Sequence, residues 1–351
     1  MIDRILSDEE IIQLKYHLER YNNIVLTCHL SPDGDAVGST LGMKHLLETM
    51  GKTVHIIAPD MVPRSLLFLP GAKDIIAYSK YTELGNRLIG NSQLIICLDF
   101  NTPKRLDNLA PVILESKARK VLIDHHIGDE KFCDLTISYD KMSSTCELVF
   151  RAILGMNMYQ QVNRKCAECL YAGMMTDTGN FTYNSNDPDI YNIIAMLMKK
   201  GINKDRIYSL AINTSSADRL RLIGHSLDSK MEVFEDCGAA LIILTKEELL
   251  QYNYKKGDTE SLVNMPLQIP EVYWSVFMRE DAEYVKISIR SKGEFAVNTI
   301  CEEHFNGGGH KNAAGGEFYG TVDEARAEFE KIMEEVKSRQ NKEKDSNLNK
   351  D

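Results

Sequence analysis

From Asn23 onward, short apolar runs rich in Ile and Val alternate with longer stretches of mixed polarity. The segments IVLTCH (24–29), TVHIIA (53–58), LIICLDF (94–100) and KVLIDHH (120–126) read as buried strands, being short, apolar and β-branched. Between the first two, AVGSTLGMKHLLETMG predicts an amphipathic helix closed by Gly51. Strand–helix–strand alternation indicates a parallel sheet with helices on its faces. Hydroxyl residues suited to capping open another helix in SSTCELVFRAILG (143–155), and NRKCAECLYAGMM (163–175) predicts a further one.

The pattern changes beyond Asp187. As far as Lys230 it is mostly helical, and after that come strand-like pieces at 239–244, 272–278 and 283–291. A helix in EFAVNTICEEHF, the glycine run NGGGHKNAAGG and a last helix near 322–338 complete the order. The expected fold class is therefore α/β, with an N-terminal parallel sheet flanked by helices in a Rossmann-like domain (1–190). A helical linker (191–230), a smaller mixed-sheet α+β domain (231–340) and a polar, disordered tail (341–351) follow.

Composition narrows the function classes. With 351 residues the chain exceeds what one core usually holds, and 43% hydrophobic with 26% charged residues is ordinary for a soluble protein. No apolar run is long enough to span a bilayer, and the charged N-terminus is unlike a signal peptide. Eight scattered cysteines, mostly in apolar segments, fit reduced thiols, so a cytoplasmic location without membrane attachment is expected. The net charge of −10 provides no basic stripe for long duplex nucleic acid, but leaves room for a short anionic substrate held by local cations. A homodimer is compatible with the sequence and not dictated by it.

The candidate chemistry gathers at strand ends. His29 ends the first strand, Asp33 and Asp35 lie in the loop SPDGDA after it, and Asp99 ends LIICLDF. Asp124, His125 and His126 end KVLIDHH, and Asp177 follows a helix in MMTDTGNF. In an open parallel sheet, groups at the carboxyl ends of strands share one edge. Each aspartate alone reads better as a turn residue or a helix cap than as a ligand. Together they would repel one another unless cations lie among them, and two divalent ions would balance Asp33, Asp35, Asp99 and Asp177. Mixed carboxylate and imidazole ligation suits Mn²⁺ and its neighbours, and two such ions about 3.5–4 Å apart can activate a shared water against phosphorus.

These blocks resemble the DHH phosphoesterase superfamily, whose defining triplet stands here as Asp124-His125-His126 beside HLSPDGDAVGS, CLDF and TDTGNF. GGGHKNAAGG and SIRS are similar to the signature of the DHH-associated C-terminal domain. Size and domain content resemble the NrnA-like branch of nano-RNases. That resemblance implies cleavage of short single-stranded oligonucleotides to mononucleotides and removal of the 3′-phosphate of adenosine 3′,5′-bisphosphate, with two Mn²⁺ ions. It implies His29, Asp33 and Asp99 on one ion and Asp35, Asp99, His125 and Asp177 on the other. Asp124 would orient an imidazole and His126 would face the substrate phosphate, completing a catalytic group with Asp99 and His125.

In the second domain, Gly307-Gly308-Gly309 alone reads as a flexible loop. With His310 beside it and the family signature, it becomes an anion-binding concavity, with Arg290 as a planar donor to an end phosphate. The two domains are then expected to act as a clamp on substrates a few nucleotides long. CAEC (166–169) reads as a packed helical pair, and Tyr183, Tyr273 and Trp274 as packing or base-stacking residues alike; Arg105, six residues after Asp99, could touch substrate but reads better as an exposed helix arginine. Alternatives from other classes are a linear or cyclic dinucleotide phosphodiesterase, a nucleotide-binding regulator without turnover, an inorganic pyrophosphatase and a long-strand exonuclease.

Overall fold

The computed structural model describes residues 2–128 and 130–348, with side chains described as far as Ser338. The chain divides between Thr214 and Ser215 into two compact units, a boundary inside the segment expected to link two domains.

The first unit runs α1 (Asp8–Arg20), β1 (Asn23–Thr27), α2 (Gly34–Thr49), β2 (Thr53–Ala58), β3 (Ile76–Ala77), α3 (Thr82–Gly90), β4 (Leu94–Leu98), α4 (Ala110–Glu115), β5 (Arg119–Asp124) and β6 (Leu135–Ser138). Helices α5 (Thr145–Gly155), α6 (Arg164–Asp177), α7 (Pro188–Met198) and α8 (Lys204–Ala211) complete it. Its described strands form one parallel sheet in the order β3-β2-β1-β4-β5-β6. Successive side chains enter opposite cores: Ile24, Leu26, Ile96 and Ile123 face one cluster, Val25, Ile95, Cys97 and Leu122 the other. Both faces are therefore covered, and the strands read as unbroken apolar runs.

Two expectations need correction here. Helix α2 is not amphipathic, because Gly34 to Met43 are all buried. Over that stretch it lies against α5 and α6 as well as the sheet, and backbone covered on every side has no polar face to show; only the last turn, with Glu48 and Thr49, is exposed. Bare backbone makes this contact close. A Cβ on Gly38 would come within 2.6 Å of the Cys169 carbonyl, and one on Gly173 within 2.2 Å of the Cys146 sulfur. Secondly, α7 and α8 are not a free linker, since Ile190, Ile193, Leu197 and Ile207 belong to the first unit's core. The CAEC pair packs as expected, with Cys166 and Cys169 buried on α6.

The second unit contains α9 (Ala217–Asp228), β7 (Met231–Phe234), β8 (Ala239–Leu244), α10 (Lys246–Gln251), β9 (Trp274–Glu280), β10 (Val285–Ser291), α11 (Asn298–His304), β11 (Gly308–His310), β12 (Ala313–Phe318) and α12 (Val322–Leu348). Its mixed sheet has the order β11-β12-β10-β9-β8-β7, parallel only between β8 and β9. Trp274 and Phe329 fill its core. The glycine run is not a loop. Gly308, Gly309 and His310 form an edge strand paired antiparallel to β12, and a Cβ on Gly307 would sit 2.0 Å from the Gly315 carbonyl. Gly307 and Gly309 are needed for the chain to pass its own backbone. Helix α12 continues to Leu348, so most of the tail expected to be disordered is helical, and 349–351 lie outside the described residues.

Candidate metal centre

The strand order reverses between β1 and β4, and in such sheets the crevice beyond the carboxyl ends at the reversal is where ligands sit. The strands stop short of the acids. β1 ends at Thr27, β4 at Leu98 and β5 at Asp124, so His29, Asp33, Asp35, Asp99, His125 and His126 stand in the loops or first helical turn beyond them. Asp177 is the last residue of α6 and does not follow the helix. A separate cavity of about 710 Å³ beside Gln93, Ser116 and Arg119 lies by the amino ends of β4 and β5 and holds none of these groups.

Local structure fixes each side chain. Asp33 caps α2, its Oδ1 accepting from the N–H groups of Asp35 (3.0 Å) and Ala36 (3.1 Å). Buried Asp35 accepts from Thr145 N–H at 2.6 Å and Cys146 N–H at 2.9 Å, the open amino end of α5. Asp99 has φ +68°, a left-handed conformation that aspartate tolerates better than most side chains, and its Oδ1 accepts from the Thr145 hydroxyl at 2.9 Å.

The imidazoles carry the decisive geometry. His29 Nδ1 lies 2.8 Å from the Leu30 carbonyl, and His125 Nδ1 lies 3.2 Å from the Met142 carbonyl. A carbonyl only accepts, so Nδ1 bears the hydrogen and the neutral ring points a lone pair from Nε2. His29 Nε2 faces Asp99 at 3.4 Å and Asp33 at 3.7 Å, and it is buried without a hydrogen-bond partner. His125 Nε2 faces Asp177 at 3.5 Å, Asp99 at 3.6 Å and Asp35 at 3.9 Å. Lone pairs directed at carboxylates repel unless a cation or proton lies between them. Ligand atoms bonded to one ion at about 2.0–2.2 Å stand roughly 3–3.6 Å apart, close to these separations. The residues therefore fit divalent metal. Two groups, His29–Asp33–Asp99 and Asp35–His125–Asp177, bring their ligand atoms within 4.8 Å of one another.

A third grouping, Asp99–His125–His126, fits less well. His126 Nδ1 donates to Asp124 at 2.8 Å and its Nε2 accepts from Arg105 at 3.0 Å, so both nitrogens are engaged. The imidazole oriented by Asp124 is thus that of His126.

The electrostatics agree. Burial pushes Asp35 and Asp177 up to about 7, with Asp99 adding to the first and Asp35 to the second. Burial raises Asp99 too. Desolvation pulls the imidazoles down, but Asp33 and Asp99 carry His29 up to about 10, and Asp35, Asp99 and Asp177 carry His125 up to about 9. Asp33, with 59% of its side chain exposed, falls to about 2: partial desolvation opposes ionisation, but His29 and two N–H groups outweigh it. Metal-free, the cluster binds protons where cations would sit.

In the second unit, Arg290 and Gly308 line a cavity of about 540 Å³ with Lys286, Ser288, Gly307 and Glu317. The Arg290 guanidinium bonds the carbonyls of Ile289 (2.8 Å) and Ala314 (3.2 Å). Gly309 and His310 are exposed on the edge strand and are not part of that lining. Sequence reasoning missed Thr145, whose SST context signalled only a helix cap. It also ranked a substrate contact by Arg105 below an exposed helix position, whereas the residue is half-buried against His126.

Residues 23–174 match the DHH family, N-terminal domain, and residues 239–337 the DHHA1 domain. The bifunctional oligoribonuclease and PAP phosphatase NrnA of Thermus thermophilus is 28% identical over 317 residues, covering 90% of this chain and 89% of that protein. The cyclic-di-AMP phosphodiesterase GdpP of Bacillus subtilis is 26% identical over 92% of this chain and 49% of its own length. The crystal structure of an exopolyphosphatase-related protein from Bacteroides fragilis is 48% identical with a TM-score of 0.94, covering 96% of this chain and 99% of that one.

Proposed function

The chain belongs to the DHH family, with a DHHA1 domain after the first, and on that premise we propose a two-metal phosphoesterase acting on short oligoribonucleotides and on adenosine 3′,5′-bisphosphate. The observation that carries this reading is the pair of imidazole Nε2 atoms pointed at four carboxylates. His29, Asp33 and Asp99 would hold one divalent ion, and Asp35, His125 and Asp177 the other, with Asp99 shared. Mn²⁺ suits this donor set. Bound there, the ions would supply Lewis acidity and a water of lowered pKa.

The protein's own part is orientation. The amino end of α5 holds Asp35, Thr145 holds Asp99, and two carbonyls hold the imidazoles. Buried Asp124 holds the His126 imidazole, which the resemblance sets toward the substrate phosphate. Arg290, Gly308, Gly309 and His310 are proposed to take the substrate's end phosphate, a reading supported by the cavity that Arg290 and Gly308 share. Similarity to GdpP along most of the chain supports a second reading, hydrolysis of linear or cyclic dinucleotides.

A substrate panel separates these readings: a diribonucleotide, adenosine 3′,5′-bisphosphate, a cyclic dinucleotide, pyrophosphate and a long single strand, each with Mn²⁺. The diribonucleotide or the bisphosphate is expected to be turned over fastest. Pyrophosphate or the long strand winning would overturn the assignment, and no turnover at all would favour a binding regulator. Asp99→Ala is expected to lower kcat/KM by at least about a hundredfold, and a loss below about tenfold would contradict a shared ligand.

A further inference from the structure

We propose that Arg105 is a phosphate-binding residue of this centre, held ready by a buried Asp124–His126 pair. The inference rests on the phosphoesterase reading and extends it to a residue outside the motif blocks. Arg105 lies in the short 3₁₀ segment Pro103–Leu109 that follows β4. Its carbonyl accepts from Leu30 N–H at 2.7 Å, tying this segment to the loop that carries His29 and Asp33. Its backbone is thus part of the rim of the metal centre, and its side chain is half-buried there.

The direction of the hydrogen bonds determines what Arg105 can do. Asp124 is fully buried; its Oδ2 accepts from the His126 N–H at 3.1 Å and its Oδ1 from Nδ1 at 2.8 Å. With the ring hydrogen committed to Asp124, His126 Nε2 is an acceptor. It therefore takes a hydrogen bond from Arg105 Nη1 at 3.0 Å and, in this arrangement, has no donor to offer a phosphate oxygen. The guanidinium has five N–H donors, and this is the one side-chain partner it has among the described residues. No carboxylate among those residues lies within ion-pair distance of it, although Asp99 and Asp124 both lie within 3.7 Å of the ring it touches.

A cation at the rim of an acidic site, aligned by a neutral ring and short of a counter-charge, has the chemistry to receive an anion. A planar guanidinium suits the oxygens of a phosphoryl group, to which it can donate in pairs. The ligand class is thus a phosphate mono- or diester of a nucleotide, or the phosphate released from it. Asp124 and His126 act through Arg105 as positioning residues, and the phosphate contact expected of His126 passes to the arginine.

Three variants test this: Arg105→Met, Arg105→Lys and His126→Ala. Inorganic phosphate binding to the Mn²⁺-loaded protein is measured by calorimetry, alongside Mn²⁺ affinity, melting temperature and kcat/KM on a diribonucleotide. Arg105→Met is expected to weaken phosphate binding by about 10- to 100-fold with unchanged Mn²⁺ affinity, and Arg105→Lys to recover part of the loss. His126→Ala should cost less, and should add little in the double variant with Arg105→Met. Phosphate affinity within about twofold of wild type in Arg105→Met would overturn the proposal. So would equal loss of Mn²⁺ and phosphate in both arginine variants, which would make the residue a scaffold for the ligand loops. If the wild type binds phosphate through Arg105 but hydrolyses no nucleotide, the activity reading fails and the binding site stands.

Discussion

At His29 and His125 a backbone carbonyl chooses the tautomer, and the tautomer chooses what the site can hold. With Nδ1 spent on Leu30 or Met142, Nε2 of the neutral ring can only accept, and what it meets is more acceptors. Without metal, protons fill that gap: Asp35 and Asp177 titrate near 7, His125 near 9 and His29 near 10. Each must lose its proton before it ligates, so protons compete with cations and the competition weakens as pH rises. Apparent Mn²⁺ affinity is expected to climb by at least about tenfold between about pH 6 and about pH 8, with proton release. Calorimetric titrations in buffers of different ionisation heat would show both, and a pH-independent affinity would contradict the assignment of these ligands.

One helix end organises most of the centre. Ser144 caps α5, and its first two N–H groups close on Asp35 while the Thr145 hydroxyl closes on Asp99. The turn itself is locked from behind. Buried Glu147 accepts from Ser143 N–H at 2.9 Å and its hydroxyl at 2.6 Å, and Arg151 Nε donates to Glu147 at 2.7 Å. Such outer partners of metal ligands typically matter by about 10- to 100-fold in affinity. Thr145→Val, which keeps shape and loses the hydroxyl, is expected to lower Mn²⁺ affinity within that range, while Thr145→Ser keeps it close to wild type. Spin-resonance titration of Mn²⁺ measures this, and an unchanged affinity in the valine variant would show that Asp99 needs no such support.

On the scale of the whole molecule, each unit has its own core, and the candidate ligands all belong to the first. An ion that binds only the folded state stabilises it by about 2.7 kcal/mol at a hundred times its dissociation constant. Scanning calorimetry should therefore show Mn²⁺ raising the transition of the Met1–Thr214 unit, and a chelator reversing it. No shift at saturating Mn²⁺ would argue against a metal centre at this edge.

The local pattern of the chain was enough to determine that β1, β2, β4 and β5 exist and are buried, that helices stand at α2, α5 and α6, and which acids and imidazoles stand past the strand ends. These features are legible because a period of two or of 3.6 residues is set by neighbours along the chain. Strand order was not legible, and with it the reversal between β1 and β4 that sets His29, Asp33 and Asp35 beside Asp99. Nor was the burial of most of α2 on all sides, the pairing that turns a glycine run into an edge strand, or the turn that brings Arg105 onto His126. Those depend on which distant segments pack together, and side-chain spacing carries no record of a partner many residues away.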